Sequence, residues 1–177
     1  MDIVQRVIFP IKAMPLLLLG LPACAATPDT AVVGEGAFEY QYTLYETRPA
    51  GEPSIQKIVA RNTPYRLFLI DGSIGGQPFY HGVTDNDGKT IIVRSETEIK
   101  PENVVLVKRI GDGSWGHMFV LNYDASTVPV AGRPYRLTMK CPHQPKRTYK
   151  GYTDAQGNTL YITSDQICKL SIETPSY

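Results

Sequence analysis

Two sequence patterns occur twice in this chain, and their repetition constrains the fold more than any other feature. The tetrapeptide Pro-Tyr-Arg-Leu occupies residues 64–67 and again 134–137. The longer pattern Gly-x-Thr-Asp-x-x-Gly-x-Thr occupies residues 82–90 and again 151–159. Because both pairs keep the same order and nearly the same spacing, we interpret them as a tandem duplication. Each copy is expected to form one small structural unit.

The segments around the repeated motifs have the composition of β-strands. Residues 38–45 are rich in aromatic side chains and alternate in polarity, and residues 117–123 occupy the corresponding place in the second copy. After each Pro-Tyr-Arg-Leu strand we expect a β-hairpin and then a closing strand. These predicted strands are 79–84 with 89–94 and then 104–107 in the first copy, and 148–153 with 158–163 and then 169–172 in the second.

The chain as a whole is predicted to be all-β. No window after the leader shows the apolar period of 3.6 residues that is typical of a helix. The 14 prolines and 15 glycines also disfavour long helices. We therefore predict two tandem small antiparallel β-sandwich units, spanning residues 31–110 and 115–174, with the glycine-rich stretch 111–114 as their boundary. The two units could share one core or form separate cores.

The loop at residues 85–88 has the composition of either a calcium loop or a tight turn. Asp85 and Asp87 could offer carboxylate oxygens to a cation, which makes them weak metal candidates. The second copy reads Asp-Ala-Gln-Gly at residues 154–157, so Ala and Gln stand in place of Asn86 and Asp87. We interpret both loops as hairpin turns, in which Asp accepts bonds from backbone N–H groups and Gly takes the left-handed conformation.

The first 25 residues predict export from the cytoplasm. Arg6 and Lys12 precede an apolar run at residues 14–21, and small residues follow with Ala-x-Ala spacing. We interpret residues 1–25 as a secretory signal peptide, which places the mature protein in the periplasm. Cleavage before Ala26 would release a soluble protein. Lipoprotein processing would instead make a lipidated Cys24 the first residue and anchor the protein to the outer membrane.

Export also predicts the chemical state of the cysteines. The chain has three of them, and either cleavage route removes Cys24 from the set of free thiols. Cys141 and Cys168 are then predicted to form a disulfide in an oxidising compartment. A crosslink that closes a loop of about 28 residues would stabilise the fold by about 3–4 kcal/mol.

Composition and motifs argue against several function classes. The 18 Lys and Arg residues nearly balance the 17 Asp and Glu residues, so the basic face of a nucleic-acid-binding protein is not expected. His81, His117 and His143 lack metal-ligand spacing, and the Gly-x-Ser-x-Gly motif of many hydrolases does not occur. We therefore predict a non-enzymatic protein with no catalytic residues, no resident metal and no cofactor.

Four aromatic residues are candidates for a protein-binding surface. Trp115 is the sole tryptophan and lies on a glycine-rich connection, with His117 two residues further on. Tyr40 and Tyr42 would share one face of a strand. Exposed Trp and Tyr side chains often anchor interfaces. Alternatively, Trp115 fills the seam between the two units and the tyrosines serve packing.

The repeated patterns resemble those of transthyretin-like β-sandwich units, which accompany the spike proteins of bacterial type VI secretion systems. The resemblance covers residues 62–110 and 132–172. It implies a sandwich fold and a secretion context, and no catalytic residues carry over. An exported small sandwich of this type resembles periplasmic immunity proteins or accessory lipoproteins from secretion loci.

These observations lead to three function hypotheses. The first is a periplasmic immunity protein that binds and blocks a secreted toxin, a type VI effector, through its loops and exposed aromatic residues. The second is a structural or adaptor protein of an envelope secretion system, anchored through lipidated Cys24. The third is an envelope hydrolase.

Overall fold

The computed structural model describes residues 5–7, 31–51, 57–70, 79–123 and 126–175, with the backbone alone for residues 5–7. The rest of residues 1–25, which are the predicted signal peptide and include Cys24, lies outside the described residues. Within these ranges the fold is all-β, as predicted, with one short 3-10 turn at Pro101–Asn103. The strands are β1 (Gln5–Val7), β2 (Val32–Val33), β3 (Phe38–Tyr40), β4 (Pro64–Leu69), β5 (Phe79–Val83), β6 (Ile92–Ser95), β7 (Val104–Ile110), β8 (Trp115–His117), β9 (Phe119–Leu121), β10 (Pro134–Lys140), β11 (Arg147–Tyr152), β12 (Tyr161–Ser164) and β13 (Lys169–Glu173).

The chain forms two compact units. Described residues within Ala13–Tyr45 and Ile58–Lys108 make up the N-terminal unit. Those within Met1–Lys12, Glu46–Lys57 and Arg109–Tyr177 make up the C-terminal unit. The segment Glu46–Lys57 therefore belongs to the C-terminal unit although it precedes the first Pro-Tyr-Arg-Leu motif.

The N-terminal unit contains three strands of a five-stranded sheet and a separate three-stranded sheet. In one sheet β4 pairs antiparallel with both β5 and β7. In the other, β6 pairs in parallel with β2 and antiparallel with β3. Alternation along β4 buries Tyr65, Leu67 and Leu69. These side chains pack with Val93 of β6, so both sheets contribute to one core, an arrangement consistent with a β-sandwich.

The C-terminal unit repeats this connectivity. Strand β10 pairs antiparallel with β11 and β13. Strand β12 pairs antiparallel with β8, and in parallel with the last two residues of β7, Arg109 and Ile110. Alternation along β10 buries Tyr135, Leu137 and Met139, which pack with residues of β12 in a second core. Strand β9 pairs antiparallel with β1.

The two repeated motifs make the same hydrogen bonds in both units. The buried Thr84 hydroxyl donates to the Ala60 carbonyl and accepts from the Thr63 N–H. Thr153 does the same with the Val130 carbonyl and the Arg133 N–H. The hydroxyl of the threonine in each Gly-x-Thr-Asp pattern therefore satisfies two backbone groups that are removed from water.

The predicted hairpins are wrong, although their turn chemistry is right. Gly88 and Gly157 have φ of 74° and 77°, as the turn prediction requires. However, β5 pairs with β4, whereas β6 pairs with β2 and β3. In the C-terminal unit β11 and β12 likewise enter different sheets. Each turn thus carries the chain from one sheet to the other and does not join two paired strands.

The reason lies in the residues that directly follow each turn. Thr90 exchanges hydrogen bonds with Tyr42, because the Thr90 N–H donates to the Tyr42 carbonyl and the Tyr42 N–H donates to the Thr90 hydroxyl. Thr159 makes the same pair of bonds with Phe119. These bonds hold the chain against the second sheet before β6 or β12 begins, so a hairpin with β5 or β11 does not form.

Candidate functional site

Of the two weak metal candidates, Asp87 is exposed and Asp85 bonds to its own loop, as does its counterpart Asp154. Asp85 accepts through Oδ1 from the Asp87 N–H at 2.8 Å and from the Lys89 N–H at 2.7 Å. Asp154 accepts in the same way from Gln156 and Asn158, and burial raises the pKa of its carboxyl group. Within the described ranges, no three His, Cys, Asp or Glu side chains form a group that could hold a metal ion. Asp85 and Asp154 therefore act as turn residues.

Tyr40 and Tyr42 lie together in the N-terminal unit and pack against its core. Their rings are parallel within 5°, with centroids 6.4 Å apart. The Tyr40 hydroxyl accepts a hydrogen bond from the Ile99 N–H at 2.8 Å. Burial, with a smaller contribution from Tyr40, raises the pKa of Tyr42 to about 12. These two tyrosines thus stabilise the edge of the N-terminal core.

Trp115 and His117 lie on β8 in the C-terminal unit and line a cleft. Because they are alternate residues of one strand, their side chains share a face. The cleft has a volume of about 370 Å³. We call it the β8 cleft, and its lining residues are Trp115, Gly116, His117, Phe119, Met139, Ile162, Ser164, Ile167, Cys168 and Leu170. Two of the four predicted interface residues therefore belong to a concave, largely apolar site.

The inner part of the β8 cleft is defined by tight local contacts. The His117 ring meets Phe119 edge to face, with centroids 4.8 Å apart and planes at 80°. Burial lowers the pKa of His117, so its imidazole resists protonation. Between Trp115 and His117, a Cβ on Gly116 would lie 2.3 Å from the Tyr161 hydroxyl. Only glycine therefore fits at this position of β8 without movement of Tyr161.

A disulfide forms part of the wall of the β8 cleft. The sulfurs of Cys141 and Cys168 are 2.04 Å apart, which confirms the predicted pairing. Cys141 is buried in the C-terminal core, whereas Cys168 lines the cleft. Beside Cys168, the Ile167 side chain is 69% exposed. The covalent bond fixes the backbone on this side, so the wall and its exposed apolar rim are held in place.

The β8 cleft has an equivalent position in the N-terminal unit that the sequence analysis missed. Phe38 and Tyr40 pair with Ser95 and Val93 of β6. In the same register, Trp115 and His117 pair with Ser164 and Ile162 of β12. His117 thus stands where the N-terminal unit has Tyr40.

The sequence also indicates that β3 and β8 are equivalent strands. Residues 33–38 read Val-Gly-Glu-Gly-Ala-Phe, and residues 110–115 read Ile-Gly-Asp-Gly-Ser-Trp. Gly36 and Gly113 also have the same close contact, because a Cβ on either would lie about 2 Å from the backbone of Ser95 or Ser164. The stretch 111–114 is therefore a repeated structural element that leads into β8.

Comparison of the chain with protein-family models, with curated proteins and with solved structures finds no significant match. In the part of the chain that the structure describes, no helix has the length and hydropathy needed to cross a membrane.

Proposed function

We propose that this protein is a non-enzymatic binding protein of the bacterial periplasm, and that its C-terminal unit recognises a protein partner through the β8 cleft. The observation that carries the proposal is the placement of Trp115 and His117 together on the wall of one largely apolar cleft. Clefts of this size and lining suit an inserted side chain or a small apolar group.

The rim of the β8 cleft supports recognition of a protein. Trp115 is half-buried and Ile167 is largely exposed, so both can contact a group that enters from outside. Trp residues in such positions often contribute much of the binding energy of an interface. The disulfide at Cys168 holds one wall and limits the conformational entropy that binding would otherwise remove.

We further infer that the two units arose by tandem duplication and that each is a transthyretin-like β-sandwich. Three features support this inference: the repeated sequence motifs, the shared sheet connectivity and the matched threonine hydrogen bonds. Duplicated units can diverge. Here the N-terminal unit would keep the Tyr40 side chain packed at the edge of its core, while the C-terminal unit would acquire a binding site.

The class of partner that we propose is a secreted toxin, which makes this protein an immunity protein of the periplasm. This proposal follows from the leader at residues 1–25 and from the resemblance to secretion-associated units. An accessory or adaptor role is the alternative, and it is favoured by the lipoprotein-type sequence Leu21-Pro22-Ala23-Cys24. Labelling of the protein with a lipid precursor, and loss of the label in Cys24→Ser, would support that alternative.

The test of the binding role is affinity capture from periplasmic extract with matched baits. We expect the wild-type mature protein to retain a partner that is lost when His117→Tyr narrows the cleft. His81→Tyr makes the same substitution on β5 of the N-terminal unit and should retain the partner. A partner retained equally by all three baits would contradict a role of the β8 cleft in binding.

The immunity role has its own test. A captured partner that proves to be a toxin is expressed in the periplasm with and without the protein. We expect the wild-type protein to protect the cells and His117→Tyr to protect them less. Toxicity that is unchanged by the wild-type protein would exclude that toxin as the target.

A further inference from the structure

The N-terminal unit shows which chemical group fills the position equivalent to the β8 cleft. There the Tyr40 ring extends from β3 toward residue 99, and its hydroxyl accepts the Ile99 N–H at 2.8 Å. The ring also stacks on Tyr42 and packs against the core. A phenol therefore fits this place with both its apolar face and its polar tip satisfied.

In the C-terminal unit the corresponding phenol is missing. His117 occupies the position of Tyr40, as the strand register shows. Cys168 occupies the position of Ile99, because each follows the equivalent serine, Ser164 or Ser95, by four residues. His117 and Cys168 both line the β8 cleft. The cleft thus lies between the two positions that Tyr40 bridges in the N-terminal unit, and an imidazole is too short to bridge them.

Two further differences between the units favour a ring that comes from outside. Phe119 stands where the N-terminal unit has Tyr42, since Thr159 and Thr90 bond to them in the same way. Phe119 therefore lacks the hydroxyl group that Tyr42 carries at the equivalent position. Met139 stands where β4 has Leu69, and it lines the cleft. Methionine adapts its shape to different apolar partners more readily than leucine does.

We propose that the β8 cleft binds a phenol ring, with the hydroxyl directed to the backbone N–H of Cys168 and the ring packed between His117 and Met139. This inference rests on the proposed binding function and names the chemistry that the site recognises. The phenol could belong to a tyrosine side chain of the partner or to a free small molecule, and both present the same ring and hydroxyl.

The test is a fluorescence titration of the disulfide-bonded protein, because Trp115 is the sole tryptophan and lines the cleft. The probes are N-acetyl-tyrosinamide, N-acetyl-phenylalaninamide, p-cresol and toluene. We expect each phenol to bind about tenfold more tightly than its hydroxyl-free counterpart, since the buried hydroxyl gains one hydrogen bond. Equal affinity within each pair, or no binding of any probe, would overturn the proposal.

The two phenols distinguish the source of the ring. If N-acetyl-tyrosinamide binds about tenfold more tightly than p-cresol, the site also contacts the peptide groups, as expected for a tyrosine of a partner protein. If p-cresol binds at least as well, the site is one for free phenols. Both results support the phenol assignment.

Variants connect the binding to the cleft. His117→Tyr supplies the ring from the chain itself and should reduce phenol affinity at least tenfold. His117→Phe should do the same, and it keeps the test valid if the first variant fails to fold. His81→Tyr should leave the affinity unchanged. Phenol binding that persists in both His117 variants would place the site elsewhere. If the protein captures a partner but shows no preference for phenols, the phenol assignment is wrong and the proposed binding function is unaffected.

Discussion

The Tyr135 hydroxyl accepts a hydrogen bond from the Leu160 N–H at 3.0 Å, and so links β10 of one sheet to the segment that enters β12 of the other. Tyr65 makes the same bond to the Ile91 N–H at 3.0 Å in the N-terminal unit. Burial raises the pKa of both tyrosines. The tyrosine of each Pro-Tyr-Arg-Leu motif therefore serves as a buried polar link between two sheets, as well as an apolar core residue.

Removal of this hydroxyl should destabilise the C-terminal unit. Tyr135→Phe keeps the ring but leaves the Leu160 N–H without its acceptor, and we expect a loss of about 1–3 kcal/mol in the free energy of unfolding. Urea denaturation followed by Trp115 fluorescence would measure it. Tyr123→Phe, at an exposed tyrosine of the same unit, should change the free energy by less than about 0.5 kcal/mol. Equal effects of the two substitutions would show that the link contributes nothing.

Substitution of the turn residue Gly157 should destabilise the protein more than its positive φ alone would predict. At Gly157 the φ is 77°, and a Cβ would lie 2.4 Å from the Leu121 carbonyl oxygen. Gly51 has a similar φ of 88°, but a Cβ there would meet no described atom within 4 Å. Gly51→Ala should therefore cost about 1–2 kcal/mol, from the left-handed conformation alone. Gly157→Ala adds a backbone clash and should cost at least about 3 kcal/mol. Similar losses in both variants would contradict the role of the close contact.

The disulfide should stabilise the C-terminal unit substantially. Replacement of Cys141 and Cys168 by alanine opens a loop with a sequence separation of 27 residues and should lower the free energy of unfolding by about 3–4 kcal/mol. A reducing agent should lower the midpoint of the wild-type denaturation curve and leave that of the double variant unchanged. A wild-type protein that is insensitive to reduction would show that the crosslink contributes little.

Stability should depend on pH through His117. Burial lowers its pKa below the ordinary value of 6.5, so the unfolded chain takes up a proton more readily than the folded one. The neutral imidazole therefore contributes its full stability above pH 6.5. This contribution is lost as the pH falls from 6.5 toward the lower pKa of the folded state.

His117→Gln isolates this effect. The variant should show a smaller loss of stability between neutral and mildly acidic pH, as measured by denaturation midpoints followed through Trp115. Asp154 acts in the opposite direction, because its raised pKa means that stability is lost as the pH rises above the ordinary carboxyl value. Asp154 is present in the wild-type protein and in the His117→Gln variant, so its contribution cancels when their pH profiles are compared. Identical pH profiles would contradict burial of the imidazole.

Local chemistry made much of the fold predictable from sequence. Alternating apolar residues in Pro-Tyr-Arg-Leu predict a half-buried strand, and Tyr135 and Leu137 are indeed buried. Asp and Gly at fixed positions predict the turns, because backbone geometry limits which residues can stand there. The pairing of Cys141 with Cys168, which the structure shows, was predicted from the expectation of export and the two cysteines left after the leader.

The partners of each strand could not be predicted in the same way. An Asp-x-x-Gly turn satisfies its own backbone whether the chain next pairs with the preceding strand or crosses to another sheet. That choice depends on long-range bonds such as those of Thr159 to Phe119, which span 40 residues. The hairpin prediction failed for this reason.

The candidate site was predictable only in part. Trp115 and His117 stood out because of their residue types and their glycine-rich setting. The cleft itself results from a difference between two equivalent positions, Tyr40 and His117, which becomes visible once the strand registers align them.

A crystal structure of the His117→Tyr variant tests the central claim most directly, since it asks whether the β8 cleft is the unfilled equivalent of the Tyr40 position. We predict that the introduced ring enters the cleft, packs beside Phe119 and Met139, and places its hydroxyl within hydrogen-bond distance of the Cys168 N–H, as Tyr40 does with Ile99 at 2.8 Å. An introduced ring that points to solvent above a cleft of unchanged volume would contradict the account.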